Sequence, residues 1–292
     1  MWKRAAAIIV TCLGCLLPAA VRAQDYIPPD LGPLQGSIEQ QEQQQTAPLQ
    51  GGVKQPLLQG GVEHSENLPP VDKKLHTGAN FDETKFSDVV PNNLWVPIPA
   101  WFAGVWETKS ETQLEVVDLA FGGMGSTNQP RTFARSDQWV FGMQVDKFNQ
   151  IWHFINVPSY RRVEVIDMTE HRQELTKEFL YVADNRVLTR YRFTSVVADG
   201  QTQKIKQVRQ QETVMLFKPE SDDTMRGFGS IKLFTSEGLP IMVSRNYTPF
   251  YKVRNFSPVP QYVGIDMRQS FRNYLISHNL SDRLPDDLRA AQ

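Results

Sequence analysis

Five histidines are the first side chains in this 292-residue sequence to consider for catalysis or metal binding. They are His64, His76, His153, His171 and His278. None of them stands near another at the spacing of a metal-ligand pair on one strand or helix. The sequence also lacks a Gly-x-Ser-x-Gly nucleophile elbow. It therefore supports no enzyme, no metal and no cofactor, although barrel active sites are also assembled from residues far apart in sequence.

His153 is the most informative of the five because it lies inside the apolar run 151–157, between two aromatic residues. Two interpretations remain open. The ring points into a cavity and polarises or ligates a bound group, haem iron included, or it is a hydrogen-bonded structural histidine. Glu170 and His171, in contrast, are predicted to be solvated at the end of a strand.

The elements that would position these side chains are β-strands. Between Gln138 and Val145 apolar residues alternate with others, which predicts a half-buried strand with Trp139, Phe141 and Met143 on one face. The run 151–157 is apolar on both faces and predicts a central strand. Further strands are predicted at 161–168, 179–183, 186–197, 204–217, 231–234, 241–247 and 251–254.

The strand pattern predicts an all-β domain over residues 93–280. Short turns and the lack of intervening helices favour an up-and-down antiparallel β-barrel of about 8–10 strands over a sandwich. Ile265, Phe271, Tyr274 and Leu275 recur at roughly helical spacing, which predicts a short C-terminal helix packed on the barrel. Residues 281–292 are predicted to be a frayed tail.

The N-terminus has the three parts of a cleavable signal peptide. A basic start is followed by the apolar run 5–17 and by small residues before a cleavage site at Ala23. This predicts a signal peptide over residues 1–23 and export to the periplasm or the cell exterior. The run is short for a membrane span, and lipidation at Cys15 is disfavoured because Cys15 lies in the middle of that run. Cys12 and Cys15 would leave with the signal.

Residues 24–92 are predicted to be a disordered arm rich in Gln, Pro and Gly. Three related Leu-Gln-Gly segments begin at Leu34, Leu49 and Leu58 with unequal spacing. They are either a low-complexity tether or a set of linear motifs for a protein partner, whose apparent affinity linkage would raise.

Charge excludes one class of partner. The formal net charge is −1, so the chain lacks the basic excess of a nucleic-acid-binding protein. A local basic group predicts either a solvated outer face or contact with an anionic envelope surface such as lipid headgroups or polysaccharide. Its members are Arg161, Arg162, Arg186, Arg190, Arg192, Lys204, Lys206 and Arg209.

The segment 101–106 opens the first strand of the predicted domain, and its Gly104-x-Trp106 motif resembles the lipocalin and wider calycin pattern. The resemblance implies a barrel that binds a small hydrophobic ligand in its interior. It also implies that Trp106 plugs the closed end, with a late-strand arginine such as Arg245 or Arg254 packed across it. The glycine-rich loop at 121–128 is then either a lid over the open end or an ordinary flexible surface loop.

The expected function is therefore an exported binding protein for a small hydrophobic or amphipathic ligand. The alternative is an envelope-associated interaction protein with a solid barrel, whose working part is the repeat-bearing arm. The expected ligand-binding residues are Phe121, Met124, Trp139, Phe141, Met143, His153, Tyr191 and Phe193.

Overall fold

The computed structural model describes residues 63–86, 92–120, 126–165 and 167–289. The predicted signal peptide, the three Leu-Gln-Gly segments and the lid residues Phe121 and Met124 lie outside this part of the chain.

The fold is mostly antiparallel β with a short C-terminal helix, which confirms the predicted class. The strands are β1 (Asn92–Ile98), β2 (Gly104–Asp118), β3 (Arg131–Phe141), β4 (Gln144–Val145), β5 (Ile151–Val157), β6 (Ser159–Val165), β7 (Met168–Ala183), β8 (Arg186–Asp199), β9 (Ile205–Pro219), β10 (Thr224–Phe234), β11 (Pro240–Arg254), β12 (Gln261–Tyr262) and β13 (Ile265–Asp266). The α-helices are α1 (Met267–Ser277) and α2 (Asp286–Arg289), and short 3-10 helices cover Glu83–Lys85, Ala100–Phe102 and Ser281–Arg283.

Eight strands form one curled half-barrel sheet in the order β3-β2-β11-β10-β9-β8-β7-β6. From β6 to β11 each strand pairs with the next along the chain, and β11 then pairs with β2. Strands β3 and β6 are the two edges of this sheet and do not pair with each other. The sheet is thus the predicted up-and-down meander, curled around an interior but open between β3 and β6.

A second sheet of three strands, in the order β1-β5-β4, carries the C-terminal helix. The rings of Trp95 on β1 and Phe271 on α1 lie 4.8 Å apart, and Leu275 is fully buried beside them. The helix begins after Asp266, whose side chain accepts a hydrogen bond from the Gln269 backbone N–H and so caps the first turn. The predicted helix is confirmed, and it packs on this smaller sheet.

The end of the chain is folded as far as the structure describes it, in contrast to the predicted frayed tail. Leu284 and Leu288 are buried in the same cluster as α1. Arg283 Nη1 donates to Asp146 Oδ2 over 2.8 Å, which ties this segment to the turn before β5. Leu284 follows the 3-10 helix Ser281–Arg283 and Leu288 lies in α2, so the two leucines belong to separate short elements and form no periodic run in the sequence.

The predicted strand 138–145 is interrupted at Gly142. This residue has φ +84°, and an added Cβ would lie 2.9 Å from the Ile151 side chain. Strand β3 therefore ends at Phe141, and the chain turns before β4 begins. Met143 is carried into the cluster beneath α1, so it does not share a face with Trp139 as predicted.

One end of the half-barrel is filled by aromatic side chains. The rings of Phe102 and Phe141 stack at 4.0 Å, and both contact Phe217. Trp106 is fully buried among them and donates its Nε1–H to the Phe102 carbonyl over 3.0 Å. We call the sheet face that carries this cluster the inner face.

Residues 63–86 cross the opposite, outer face, and we call this segment the strap. The Leu68 N–H donates to the Gly238 carbonyl and the Phe81 N–H to the Gln203 carbonyl. Leu75 and Phe86 are buried against that face. This part of the predicted arm is therefore folded, because its scattered apolar residues cover the outer face although they form no periodic run.

Candidate functional site

A lysine and a histidine meet where β5 of the small sheet approaches β7 of the large sheet. Lys177 Nζ lies 3.1 Å from Nε2 of His153, which is buried. Lys177 pairs with Tyr191 on β8, and its Nζ lies 5.8 Å from the centre of the Tyr191 ring. A register shift between Glu174 and Thr176 turns Lys177 onto the inner face.

The hydrogen bonds decide which ring nitrogen of His153 carries the proton. The backbone N–H of Gly142 donates to Nδ1 over 3.3 Å, so the proton of the neutral ring is on Nε2, facing Lys177. Burial lowers the pKa of His153 well below its usual range, and Lys177, whenever it is protonated, shifts this pKa in the same direction. Burial also lowers the pKa of Lys177, while the charge of Glu174 opposes that shift.

Tyr191 is the third polar side chain at this position, beside Lys177 and His153. Thr189 Oγ1 donates to its hydroxyl oxygen over 2.8 Å. Burial raises the pKa of Tyr191, so the side chain stays a neutral phenol. Tyr191 belongs to the apolar cluster of the inner face, which places the polar tip of Lys177 at the boundary of that cluster.

The inner face beside these three side chains is aromatic, and one position on it is a glycine. Trp139 is partly buried and packs edge-on against Phe250 at 5.7 Å. On β10, Gly229 lies between Met215 and Asn246 in the pairing register. A Cβ added at Gly229 would make only ordinary van der Waals contacts, the nearest at 3.5 Å. The glycine thus leaves room for a methyl group on the inner face.

A buried polar group shares this face next to Trp139. Arg135 pairs with both Glu111 and Asp137, and Asn246 donates its Nδ2–H to Glu111. Asp137 lies two residues before Trp139, and Asn246 lies four before Phe250, so both point to the inner side. The inner face is therefore amphipathic, with an aromatic area adjoining a charged one.

Several polar atoms in this region have no hydrogen-bond partner among the described residues. Asp137 Oδ1 and Asn246 Oδ1 belong to the polar group, and the other two are Ser244 Oγ and the indole Nε1 of Trp139. Buried polar atoms are normally paired, because leaving one unpaired costs about 1–3 kcal/mol. These atoms can accept from, or donate to, a bound polar group.

The structure brings together some of the residues expected to bind a ligand and separates others. Trp139 and Tyr191 belong to the inner-face cluster, and the His153 ring lies 5.8 Å from the Phe141 ring of that cluster. Phe141 lies in the filled aromatic end. Phe193 follows Tyr191 on the same face of β8, and the Arg172 guanidinium lies 5.2 Å from its ring centre.

Sequence reasoning missed the polar members of this region. Asp137 offered a signal, because it is in phase with Trp139 and Phe141 along β3. The sequence gives no such signal for Lys177, because register shifts in β7 interrupt the two-residue alternation on either side of it. Asn246 is brought to Glu111 only by the pairing of β11 with β2.

The Gly104-x-Trp106 segment has a clear physical role. Gly104 has φ +133°, and an added Cβ would lie 2.7 Å from the Arg254 carbonyl oxygen, so only glycine fits. The basic side chain over the indole is Lys252, at 4.8 Å. Neither Arg254 nor Arg245 was found over it, and Arg245 instead pairs with Glu115 at 3.3 Å.

A serine, a histidine and a glutamate line up on the outer face. Ser230 Oγ lies 2.8 Å from His64 Nε2, and His64 Nδ1 lies 3.1 Å from Glu212 Oε1. This order resembles a nucleophile, a base and an orienting acid. However, Ser230 is 1 % exposed and Glu212 0 %, because the strap covers both.

We assign this group a structural role and call it the latch. Glu212 also accepts hydrogen bonds from Ser65 of the strap and from Arg192. Lys232 donates to the Ser65 carbonyl over 2.8 Å. The latch thereby joins the strap to β8, β9 and β10 through buried, charge-assisted hydrogen bonds.

Two predictions about polar surfaces are wrong. Glu170 and His171 are both buried. Phe81 of the strap stacks on the His171 ring at 3.7 Å, whereas Glu170 accepts hydrogen bonds from Ser195 and Arg172. The basic residues do not share one face, since the register places Arg192 on the outer face and Arg209 on the inner one. Several of the group pair with acids, as Arg192 does with Glu212.

The described ranges contain no group of three or more His, Cys, Asp or Glu side chains that could hold a metal ion. No helix in them is both long and apolar enough to cross a membrane. The chain matches no known family model, no curated protein and no solved structure.

Proposed function

We propose that this protein is exported through its N-terminal signal and binds a small amphipathic molecule on the inner face of the half-barrel. The observation that carries the proposal is the set of unpaired buried polar atoms beside an aromatic surface. Asp137 Oδ1 and Asn246 Oδ1 lack donors, and Trp139 Nε1 lacks an acceptor, among the described residues. A ligand with an apolar body and a hydroxyl or amino group would satisfy both surfaces.

The charges of the polar group favour such a head group. Glu111 and Asp137 are two carboxylates that share the single guanidinium of Arg135. The local charge is therefore negative, which suits a hydrogen-bond donor better than an anion. Met215, which lies next to Gly229, and Trp139 on the same face would contact the apolar body.

A graded substitution at Gly229 tests the proposal. Gly229→Leu should fill the inner face and weaken binding of a fluorescent long-chain amine by at least about tenfold, which corresponds to about 1.4 kcal/mol. Gly229→Ala is the matched control, because its Cβ makes only ordinary contacts and should leave binding nearly unchanged. Fluorescence titration and native mass spectrometry of the full chain provide the readouts. Equal affinity of all three proteins, or binding by none of them, would reject this site.

A further inference from the structure

We propose that Lys177 is an unprotonated, nucleophilic amine that holds apolar aldehydes covalently as an imine. The inference deepens the proposed function, because it uses the same inner face and names a ligand class for it. Lysine is the side chain that forms imines with carbonyl compounds, provided that its amine is neutral.

The hydrogen bonds of His153 indicate the protonation state of Lys177. The Gly142 N–H occupies Nδ1 of His153, which leaves Nε2 to hold the ring proton. An Nε2–H that lies 3.1 Å from Lys177 Nζ needs an acceptor, and an ammonium group has no lone pair to offer. The contact is therefore satisfied when Lys177 is a neutral amine.

The surroundings of Lys177 agree with this protonation state. His153 on β5 and Tyr191 on β8 face it as neutral groups. Glu174, on β7 itself, is the carboxylate that favours the ammonium form. No carboxylate of the described residues lies within ion-pairing distance of Nζ. Burial thus outweighs the charge of Glu174, and the pKa of Lys177 is lowered.

The chemistry balances without a further reactant. The Nζ lone pair attacks the carbonyl carbon of the aldehyde and forms a carbinolamine. Both hydrogens of the amine leave with the carbonyl oxygen as one water molecule, and a C=N bond replaces the C=O bond. Neither partner is oxidised or reduced. The aldehyde chain would lie along the aromatic surface around Tyr191 and Trp139.

Reductive trapping tests the proposal. The full chain is incubated with decanal and cyanoborohydride at about pH 7.4, and labelled lysines are found by peptide mass mapping. The added mass is that of decanal less one oxygen atom. An exposed lysine is only about one part in a thousand unprotonated at this pH. Lys177 should therefore be labelled at least about tenfold faster than exposed Lys204, and should keep this advantage as the pH is lowered.

Two controls separate the possible outcomes. Decanol, which cannot form an imine, should slow the labelling of Lys177 and leave Lys204 unaffected. Lys177→Arg keeps a long side chain that ends in nitrogen but offers no free amine, so it should lose the fast label. If decanol binds while Lys177 reacts no faster than Lys204, the imine is rejected and the proposed function stands. If decanol and the long-chain amine both fail to bind, the proposed function fails as well.

Discussion

Lys252 lies directly opposite Trp106 on the neighbouring strand, and its Nζ is 4.8 Å from the centre of the Trp106 ring. The ammonium group therefore covers the π face of an indole whose other surroundings are the aromatic residues of the filled end. This contact joins β2 to β11, the two strands whose pairing links the start of the meander to its end.

Removing the Trp106 ring should strongly destabilise the domain. We expect Trp106→Ala to lower the free energy of unfolding by about 3–5 kcal/mol, the usual cost of deleting a large aromatic side chain from a core. Trp101→Ala is the matched control and should cost less, because Trp101 is only partly buried. Urea denaturation of both variants provides the measurement. Small, equal losses would show that Trp106 does not support this end of the half-barrel.

Removing the positive charge over the indole should cost less than removing the ring. Lys252→Met keeps most of the aliphatic stem and should destabilise by about 0.5–2 kcal/mol, the range of a cation–π contact. Lys252→Arg should retain most of the stability. Thermal unfolding at low and high salt measures the stability of both variants. If Lys252→Met were as stable as the parent, the cation–π contact would contribute nothing.

Gly104 should not tolerate a side chain. In Gly104→Ala the new Cβ would meet the Arg254 carbonyl at 2.7 Å in a left-handed backbone, so we expect a loss of about 2 kcal/mol or more. Gly264 also has a positive φ, of +81°, but an added Cβ there meets nothing within 4 Å. Gly264→Ala therefore measures the backbone cost alone. Equal losses in the two variants would contradict the proposed close contact.

The latch should make stability fall in acid. Burial alone would raise the pKa of Glu212, but hydrogen bonds from His64, Ser65 and Arg192 lower it to about 2. Because this lies below the reference value of 4.5, the carboxylate stabilises the fold fully above about pH 4.5. That contribution should be lost as the pH falls from about 4.5 towards 2.

Two variants isolate this effect. Glu212→Gln should cost about 3–5 kcal/mol at neutral pH, since it leaves a buried cation without its partner. It should also remove the corresponding part of the acid dependence. Glu178→Gln removes an exposed carboxylate that pairs with the half-buried Arg190, and it should change stability by less than about 1 kcal/mol. Denaturation curves from about pH 2 to 7 measure the stability of both variants. If Glu212→Gln lost stability in acid as the parent does, the latch would be excluded as the source of the acid dependence.

The sequence by itself determined the class of the fold, because alternation along a strand and helical spacing are local properties of the chain. The pattern around Trp139, the runs that became β5, β8 and β9, and the spacing of Phe271 and Leu275 all predicted elements that the structure contains. Trp106 was expected at the closed end of the barrel because the Gly104-x-Trp106 motif resembles the lipocalin pattern, and the structure buries its side chain.

The candidate site was decided by tertiary structure. Lys177 and His153 are 24 positions apart, and His64 is 166 positions from Ser230, so no short pattern joins them. A register shift in β7 turns Lys177 inward, the turn at Gly142 redirects Met143, and the strap buries His171. Each of these three features depends on which strands pair and in what register. The register is set by the packing of the whole sheet, so a short stretch of sequence does not reveal it.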